Sequence, residues 1–468
     1  MVPMRRMSSQ DAAFLYGETP AWHMHVASLV IVDPASSGGR FSFDRVRDLT
    51  MERLPQMPQF RWQLVDVPFG VDLPGWVEGP PIDVEYHIKS VWLPAPGDEN
   101  ELSDLVGELV AKKLDRHRPL WEIYMIGGLE GGRSAVLTKV HHALIDGISG
   151  AGLSEVMMDL TQEPREAPTE SAHLLDAVRP SDSELFARGI VRTAVQTPIR
   201  LVRFGAQSLV QAVAASKNFL VAKRPAMPYT APRTHLTGEF TPRRKVGMAT
   251  LEIDRVKAVR RSFGVTVNDV VLALCASSLR EYLVANDDLP GHPLVVQCPV
   301  SLRKGDDRDS VGSKVGSMFV ELATNIEDPI ERLRAVAASA SQAKEIHKAF
   351  EEHHHLGVTE TAPPGLIGLA ARLYTTMHLD RVPAAVNLVI SNVPGPPAPL
   401  YMAGALVEGM FPMGPLLLGM GLNITAFSHN RQLDVGVFSC PDLVSDPQCI
   451  ADGIELALIE LEGLTTQA

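Results

Sequence analysis

An α/β protein made of two mixed halves is the fold class this sequence predicts, and three observations predict it. The chain has 468 residues, more than a single hydrophobic core ordinarily serves, so two domains of usual size are expected. Strand-like apolar runs and helix-spaced segments alternate in both halves, with no short-period repeat. Between the halves, Leu185–Thr237 carries Arg188, Arg192, Arg200, Arg203, Lys217, Lys223, Arg224 and Arg233 but no Asp or Glu. That reverses the sign of a chain whose net charge is −12. The expected division is an N-terminal domain over 1–160, a linker with basic amphipathic helices over 161–238, and a C-terminal domain over 239–468.

Each element rests on its residue pattern. Val26–Val32 (VASLVIV) is apolar and β-branched enough for a buried strand. Asp44–Leu54 has helical spacing. In 100–114, Leu102, Leu105, Val106, Leu109, Val110 and Leu114 share one helical face. Ser134–Val140 is a second buried strand, which Gly147 brings to a turn. The Pro-, Glu-, Ser- and Asp-rich stretch 162–184 reads as a connecting loop. Beyond it, Ile190, Val191, Val195, Ile199, Val202 and Phe204 recur at helical spacing among the arginines. Such a helix either lies in an anionic lipid interface or packs its apolar face on the two halves with its cations in water. Later helices are expected at 268–285, 328–350 and about 446–463. Asp328 supplies the cap of the second and Pro329 its first turn. Strands are expected at 294–300, 385–391, 421–427 and 432–439.

Composition narrows the function classes. Apolar and charged fractions of 45% and 21% are globular values, and the negative net charge argues against nucleic acid as the main partner. Cys275, Cys298, Cys440 and Cys449 form no CxxC pair, which points to reduced, intracellular use rather than to disulfides or metal. No apolar run reaches the roughly 18 residues of a membrane span, and the N-terminus lacks the apolar core of a signal peptide. A cytoplasmic protein, at most peripheral to a membrane, is the expectation. There is no Walker A motif or complete GxGxxG, and His353–His355 read as a solvated helix end.

The chemistry concentrates in His141-His142-Ala143-Leu144-Ile145-Asp146-Gly147, directly after the Ser134–Val140 run. A histidine at the mouth of a strand titrates near pH ~6.5 and suits the removal of a proton from a hydroxyl or thiol. Three other readings compete. His142 and Asp146 could share a metal on a helix, but Gly147 and Gly150 break such a helix and no HExxH is present. Ser149 could be a nucleophile, but Gly147-Ile148-Ser149-Gly150-Ala151 lacks the last glycine of GxSxG. His142 could also be a satisfied core histidine.

This HHxxxDG stretch resembles the signature of the CoA-dependent acyltransferase superfamily. The rest of the chain resembles its bacterial wax ester synthase/diacylglycerol acyltransferase branch. The matching pieces are DAAFLYGETPAWHMHVASL (11–29), RPLWEIYMIGGL (118–129), NDVVLA (268–273), PVSLR (299–303), DPIERL (328–333), SNVPGPPAPLYMAGA (391–405) and GLNI (421–424). The resemblance implies two chloramphenicol acetyltransferase-like α/β domains joined by the helical linker, with an active-site channel at their interface. It implies transfer of a long acyl chain from acyl-CoA, a co-substrate rather than a resident cofactor, to diacylglycerol, giving triacylglycerol. Fatty alcohols, giving wax esters, are the second acceptor class. His142 would be the general base, His141 a supporting residue, and Asp146 structural, paired with Arg61 or Arg303. Ser391 would donate to the oxyanion, with Asn392 in reserve, and Gly147, Asn268, Asp269 and Asn392 would line the substrate site. Asn268 and Asp269 read equally as a helix cap, and Asn392–Pro396 as a rigid turn. No metal is implied. The partners implied are acyl-CoA, a lipid alcohol and the surface of the inner membrane face or of lipid droplets. Thr237, Gly312-Ser313, His429 and Cys440 depart from the family pattern and leave the acceptor open. A related enzyme using another hydroxyl or amine, or a non-catalytic lipid carrier, is the alternative.

Overall fold

The computed structural model describes residues 4–147, 155–166, 180–195, 226, 228–239, 241–301, 315–351, 385–417 and 419–465. In the first half the elements are β1 (Arg5–Arg6), α1 (Ser9–Gly17), β2 (His25–Asp33), α2 (Phe43–Arg53), β3 (Trp62–Val65), β4 (Gly75–Glu78), α3 (Val84–His87), β5 (Ile88–Trp92), α4 (Glu99–Ala111), β6 (Trp121–Gly127) and β7 (Ser134–His141). A helix α5 spans 182–195. The second half has β8 (Lys245–Glu252), α6 (Ile253–Phe263), α7 (Val267–Ala285), β9 (Val295–Ser301), β10 (Val315–Glu321), α8 (Pro329–Glu351), β11 (Leu388–Pro394), β12 (Tyr401–Met402), β13 (Ala405–Met413), β14 (Leu422–His429), β15 (Gln432–Ser439) and α9 (Pro447–Gly463).

Local chemistry explains most of the boundaries. Asp98 caps α4 in a reciprocal box with Glu101, and Ser42 caps α2, each satisfying amide groups that a helix start leaves without partners. Asp446 caps α9 ahead of Pro447. Asp328 accepts from the Glu331 amide at 2.8 Å, as its place before Pro329 predicts. The stretch expected to be loop to 184 ends earlier, because the Ser181 hydroxyl accepts the Glu184 amide and starts α5 at 182.

Two six-stranded mixed sheets dominate, ordered β12-β13-β2-β7-β6-β5 and β10-β9-β11-β14-β15-β8, beside a small β1-β4-β3 sheet. The first large sheet is completed by strands from residues 401–413. β13 runs antiparallel to β2, with a register shift between Val407 and Gly409. One apolar cluster belongs to the second half, around α7, α8 and α9. A second fills one face of the first sheet and includes Met410 and Phe427. A third lies on the opposite face, where α4 is sandwiched against β8, so Val106, Leu109 and Leu137 pack with Val246, Met248 and Phe438. Gly107 permits that sandwich, since a β-carbon there would collide with the Arg244 carbonyl. No single described helix is long and apolar enough to cross a membrane.

Candidate active site

The site grows from the end of β7. Along that strand Ala135, Leu137, Lys139 and His141 face α4, while Val136 and Val140 face the opposite cluster. Two groups on the α4 side close that helix's carboxyl end, whose last carbonyls have no helical partner. Lys139 Nζ donates to the Leu109 and Lys112 carbonyls at 3.0 and 2.9 Å. His25 Nδ1 lies 3.2 Å from the Val110 carbonyl. Lys139 is fully buried and balanced by Glu122, its cross-strand neighbour, at 2.8 Å. Burial pushes the Lys139 ammonium down from its usual range while Glu122 opposes the shift.

The adjacent histidines have separate environments. His141 is buried, and the Ala143 amide donates to its Nδ1 at 3.1 Å. The ring proton therefore sits on Nε2, which donates to Glu18 Oε1 at 3.2 Å. Both ring nitrogens of His141 are thus engaged by protein. His142 opens the 3-10 turn His142–Gly147 and is only half-buried. Its amide donates to the Met24 carbonyl at 2.7 Å, and the Phe14 ring meets its imidazole edge-on at 4.4 Å.

Helix α1 and the turn after it brace this pair, a role the motif alone did not reveal. Glu18, next after α1, accepts from Arg116 at 2.5 Å and lies 3.4 Å from Lys113. Burial acts to raise its carboxyl, but His141 and Arg116 outweigh that and hold it well below the usual carboxylate range. Arg116 also donates to the Leu15 carbonyl at 2.7 Å, closing the end of α1. The next turn reaches the second half: Trp22 Nε1 donates to the Leu416 carbonyl at 2.6 Å and Arg244 to the Ala21 carbonyl at 2.8 Å. Beyond it, burial pulls the His23 imidazole down to about 4. Burial, and then Lys139, holds His25 well below its ordinary value. The sequence signal for Glu18 was a carboxylate after the largely apolar AAFLYG run at 12–17.

The other predicted residues are placed as follows. Asp146 and Gly147 close it, but the Asp146 side chain and all of Arg303 lie outside the described residues. Ser149 and Gly150 do too. Arg61 ion-pairs with Glu78 at 3.0 Å. Asp269 stands at the third position of α7 and, with the cap Thr266, forms a reciprocal box at 2.9 and 3.2 Å. The cap is therefore Thr266 rather than Asn268 or Asp269, because a side chain one turn into the helix reaches back to the first free amide.

Ser391 and Asn392 sit half-buried on β11 of the second sheet. There β11 follows β14 along Val389–Pro394 but pairs with β9 only at Leu388 and Val389. The sheet forks at Ile390, so the Ser391 segment has a strand neighbour on one side only among the described residues. Gly395 ends it in a turn, donating to the Ser428 carbonyl at 2.8 Å where a β-carbon would strike Phe427. Among the described residues no group of three or more His, Cys, Asp or Glu could hold a metal ion.

Comparison with known proteins places this arrangement. Residues 7–271 match the model of the wax ester synthase/diacylglycerol acyltransferase catalytic domain, and residues 311–462 match that family's C-terminal domain. The chain belongs to this family. A putative diacylglycerol O-acyltransferase of Mycobacterium tuberculosis is 36% identical, over 98% of this chain and 90% of the relative. A probable diacylglycerol O-acyltransferase of the same species is 34% identical, over 98% and 99%. Among solved structures, the wax ester synthase/diacylglycerol acyltransferase of Marinobacter aquaeolei VT8 superposes with a TM-score of 0.67 at 27% identity, covering 98% of this chain and 100% of that one. The first condensation domain of the calcium-dependent antibiotic synthetase shares the fold, with a TM-score of 0.56 at 16% identity over 99% and 96% of the two chains. The family's two-part α/β fold is thus the fold of this chain.

Proposed function

We propose that this protein is an acyl-CoA-dependent O-acyltransferase that esterifies diacylglycerol, with fatty alcohols as a second acceptor class. The observation that carries the reading is the placement of the histidine pair at the end of β7. His142 opens the turn half-buried, its amide on the Met24 carbonyl and its ring against Phe14, and His141 beside it is braced by Glu18 and the Ala143 amide. The names of the relatives point to the same acceptor.

In this mechanism the acceptor hydroxyl gives its proton to His142 as its oxygen attacks the thioester carbonyl of acyl-CoA. The tetrahedral intermediate carries the negative charge on the former carbonyl oxygen. Collapse breaks the carbon–sulfur bond, expels the CoA thiolate and leaves the ester. The thiolate then takes the proton from His142, so no covalent acyl-enzyme is needed. Ser391 on the forked β11, or Asn392 beside it, donates to the oxyanion, a contribution of about 3 kcal/mol. Glu18 and His141 set the turn on which His142 rides. Acyl-CoA and the lipid alcohol enter a channel between the two sheets from opposite sides, and the enzyme works at the cytoplasmic face of a membrane or on a lipid droplet.

Free-thiol release from palmitoyl-CoA, measured with diacylglycerol, with hexadecanol and without acceptor, tests the reading. Release stimulated by diacylglycerol and cut about a hundred- to ten-thousand-fold in His142→Ala is the expected result. Wild-type rates in the variant would remove His142 from the mechanism. Absence of stimulation by either lipid would transfer the site to another hydroxyl or amine, and absence of any release would favour a carrier.

A further inference from the structure

The two groups of the proposed mechanism stand on different sheets: Ser391 on β11 of the second, His142 directly after β7 of the first. Side-chain alternation shows which face of the second sheet looks toward the first. On β14, Leu422, Ile424 and Ala426 pack under the helical layer, so Asn423, Thr425 and Phe427 face the other way. Phe427 there belongs to an apolar cluster of the first half. β11 alternates in step, with Leu388 and Ile390 under the helices and Val393 against the first-half cluster. Ser391 pairs in register with Thr425 and so shares this inner face.

A chain of hydrogen bonds leads from that face to the histidine turn. Asn423 is only 2% exposed, and a buried amide costs stability unless it is hydrogen-bonded. Its Oδ1 accepts from the Thr425 hydroxyl at 2.8 Å, and its Nδ2 donates to the Pro415 carbonyl at 3.3 Å. Gly414 leaves room for this, since a β-carbon there would lie 2.7 Å from Asn423 Nδ2. The next carbonyl, that of Leu416, accepts from Trp22 Nε1 at 2.6 Å. Pro415 and Leu416 lie where the chain leaves β13 of the first sheet for β14 of the second. Successive carbonyls of this crossing are therefore held from opposite sides. Trp22 itself sits in a tight turn, its amide on the Thr19 hydroxyl and its carbonyl on the Thr19 amide, both at 3.0 Å. Shortly after that turn, the Met24 carbonyl accepts the His142 amide at 2.7 Å.

We infer that Asn423 and Trp22 are positioning residues which, through the Pro415–Leu416 crossing, fix the spacing between the Ser391 strand and the His142 turn. The inference rests on the acyltransferase reading, in which base and oxyanion donor must meet one thioester at the same moment. A misplacement of about 1 Å at such a centre costs about a hundredfold in rate. A buried polar network whose members satisfy one another rigidifies what it joins, and this one joins the two halves.

Steady-state CoA release by the full-length protein, with palmitoyl-CoA and diacylglycerol, tests it. Trp22→Phe keeps a ring against Gly17 but removes the donor to Leu416, and Asn423→Ala removes the donor to Pro415. Each should lower kcat about tenfold, with KM for palmitoyl-CoA changed less than about twofold. The double variant should be about as slow as the slower single one, because both substitutions cut the same connection. Urea midpoints establish that the variants are folded, and Trp22→Phe alone decides the matter if Asn423→Ala does not fold. Wild-type kcat in Trp22→Phe, a change confined to KM, or losses that multiply in the double variant would each overturn the inference. CoA release that needs His142 but ignores Trp22 sinks this inference alone. Release no faster in the wild type than in His142→Ala sinks the acyltransferase reading and this inference together.

Discussion

The two large sheets have six strands each but treat charge differently. The first buries ion pairs: Lys139 with Glu122, Glu18 with Arg116 and hydrogen-bonded to His141, and Arg53 with Asp159. The second is covered by an almost wholly apolar helical layer. Its buried charges sit at element ends, as Asp269 does in the α7 capping box and Asp434 against His429 at 2.7 Å. Even there Asp434 looks outward, accepting the Met410 amide of β13, which belongs to the first sheet. A paired charge inside a fold is costly to strip of its partner. The half that holds the histidine turn is therefore organised by mutually dependent pairs, while the other half offers a forked strand and a stable wall.

That contrast yields graded expectations. Arg53 donates twice to Asp159 with both side chains buried, so Arg53→Ala should cost about 3–5 kcal/mol in urea unfolding. Thr266→Ala, the corresponding lesion in the second half, should cost only about 1 kcal/mol. Similar losses at the two positions would contradict the division drawn here.

Acid should act mainly on the first half. The folded state holds His23 neutral to about pH 4, against an ordinary 6.5. Between those values the unfolded chain binds a proton that the folded chain refuses. Stability is thus intact above pH about 6.5 and falls as pH drops, by up to about 1.4 kcal/mol per unit. His23→Gln should flatten that slope in unfolding measured from pH about 7 to about 4.5, leaving the part due to His25. An unchanged slope would exclude His23 from the acid response. Glu18 adds a loss at lower pH: its depressed carboxyl stabilises the fold above the ordinary carboxylate range, and the contribution disappears as acid protonates it.

Glu18 also allows a test of positioning. Glu18→Gln keeps an oxygen facing His141 but removes the charge, and kcat should fall about tenfold, near 1.4 kcal/mol, with KM little changed. Glu18→Ala should lose more. Equal loss in both variants, or a rise in KM alone, would reduce Glu18 to a scaffold.

Much of this molecule was legible from residue order. The strand before HHALIDG, the helices expected at 100–114 and 268–285 and formed at 99–111 and 267–285, and the cap at Asp328 all follow from periodicity and short-range hydrogen bonding. Expected strands at 385–391 and 421–427 form as Leu388–Pro394 and Leu422–His429. Less was legible around the site. Glu18 is 123 residues from His141, and no local pattern joins a carboxylate after one helix to a ring at the end of a distant strand. The departure at His429 is likewise explained only by its partner, since Asp434 fills the buried pocket around it.

Residue order by itself determined that a paired-histidine turn would follow a buried strand and that both halves would be mixed α/β. Those features depend on neighbours a few residues apart. Tertiary structure alone decided that β13 would complete the first sheet and that Glu18 would brace His141. Strand alternation reads the same in any sheet, so the choice of neighbour falls to distant contacts. Here they are the shifted register at Val407–Gly409, the Asp434 carboxylate on Met410, and Gly436, which lets β15 approach the Pro412 carbonyl.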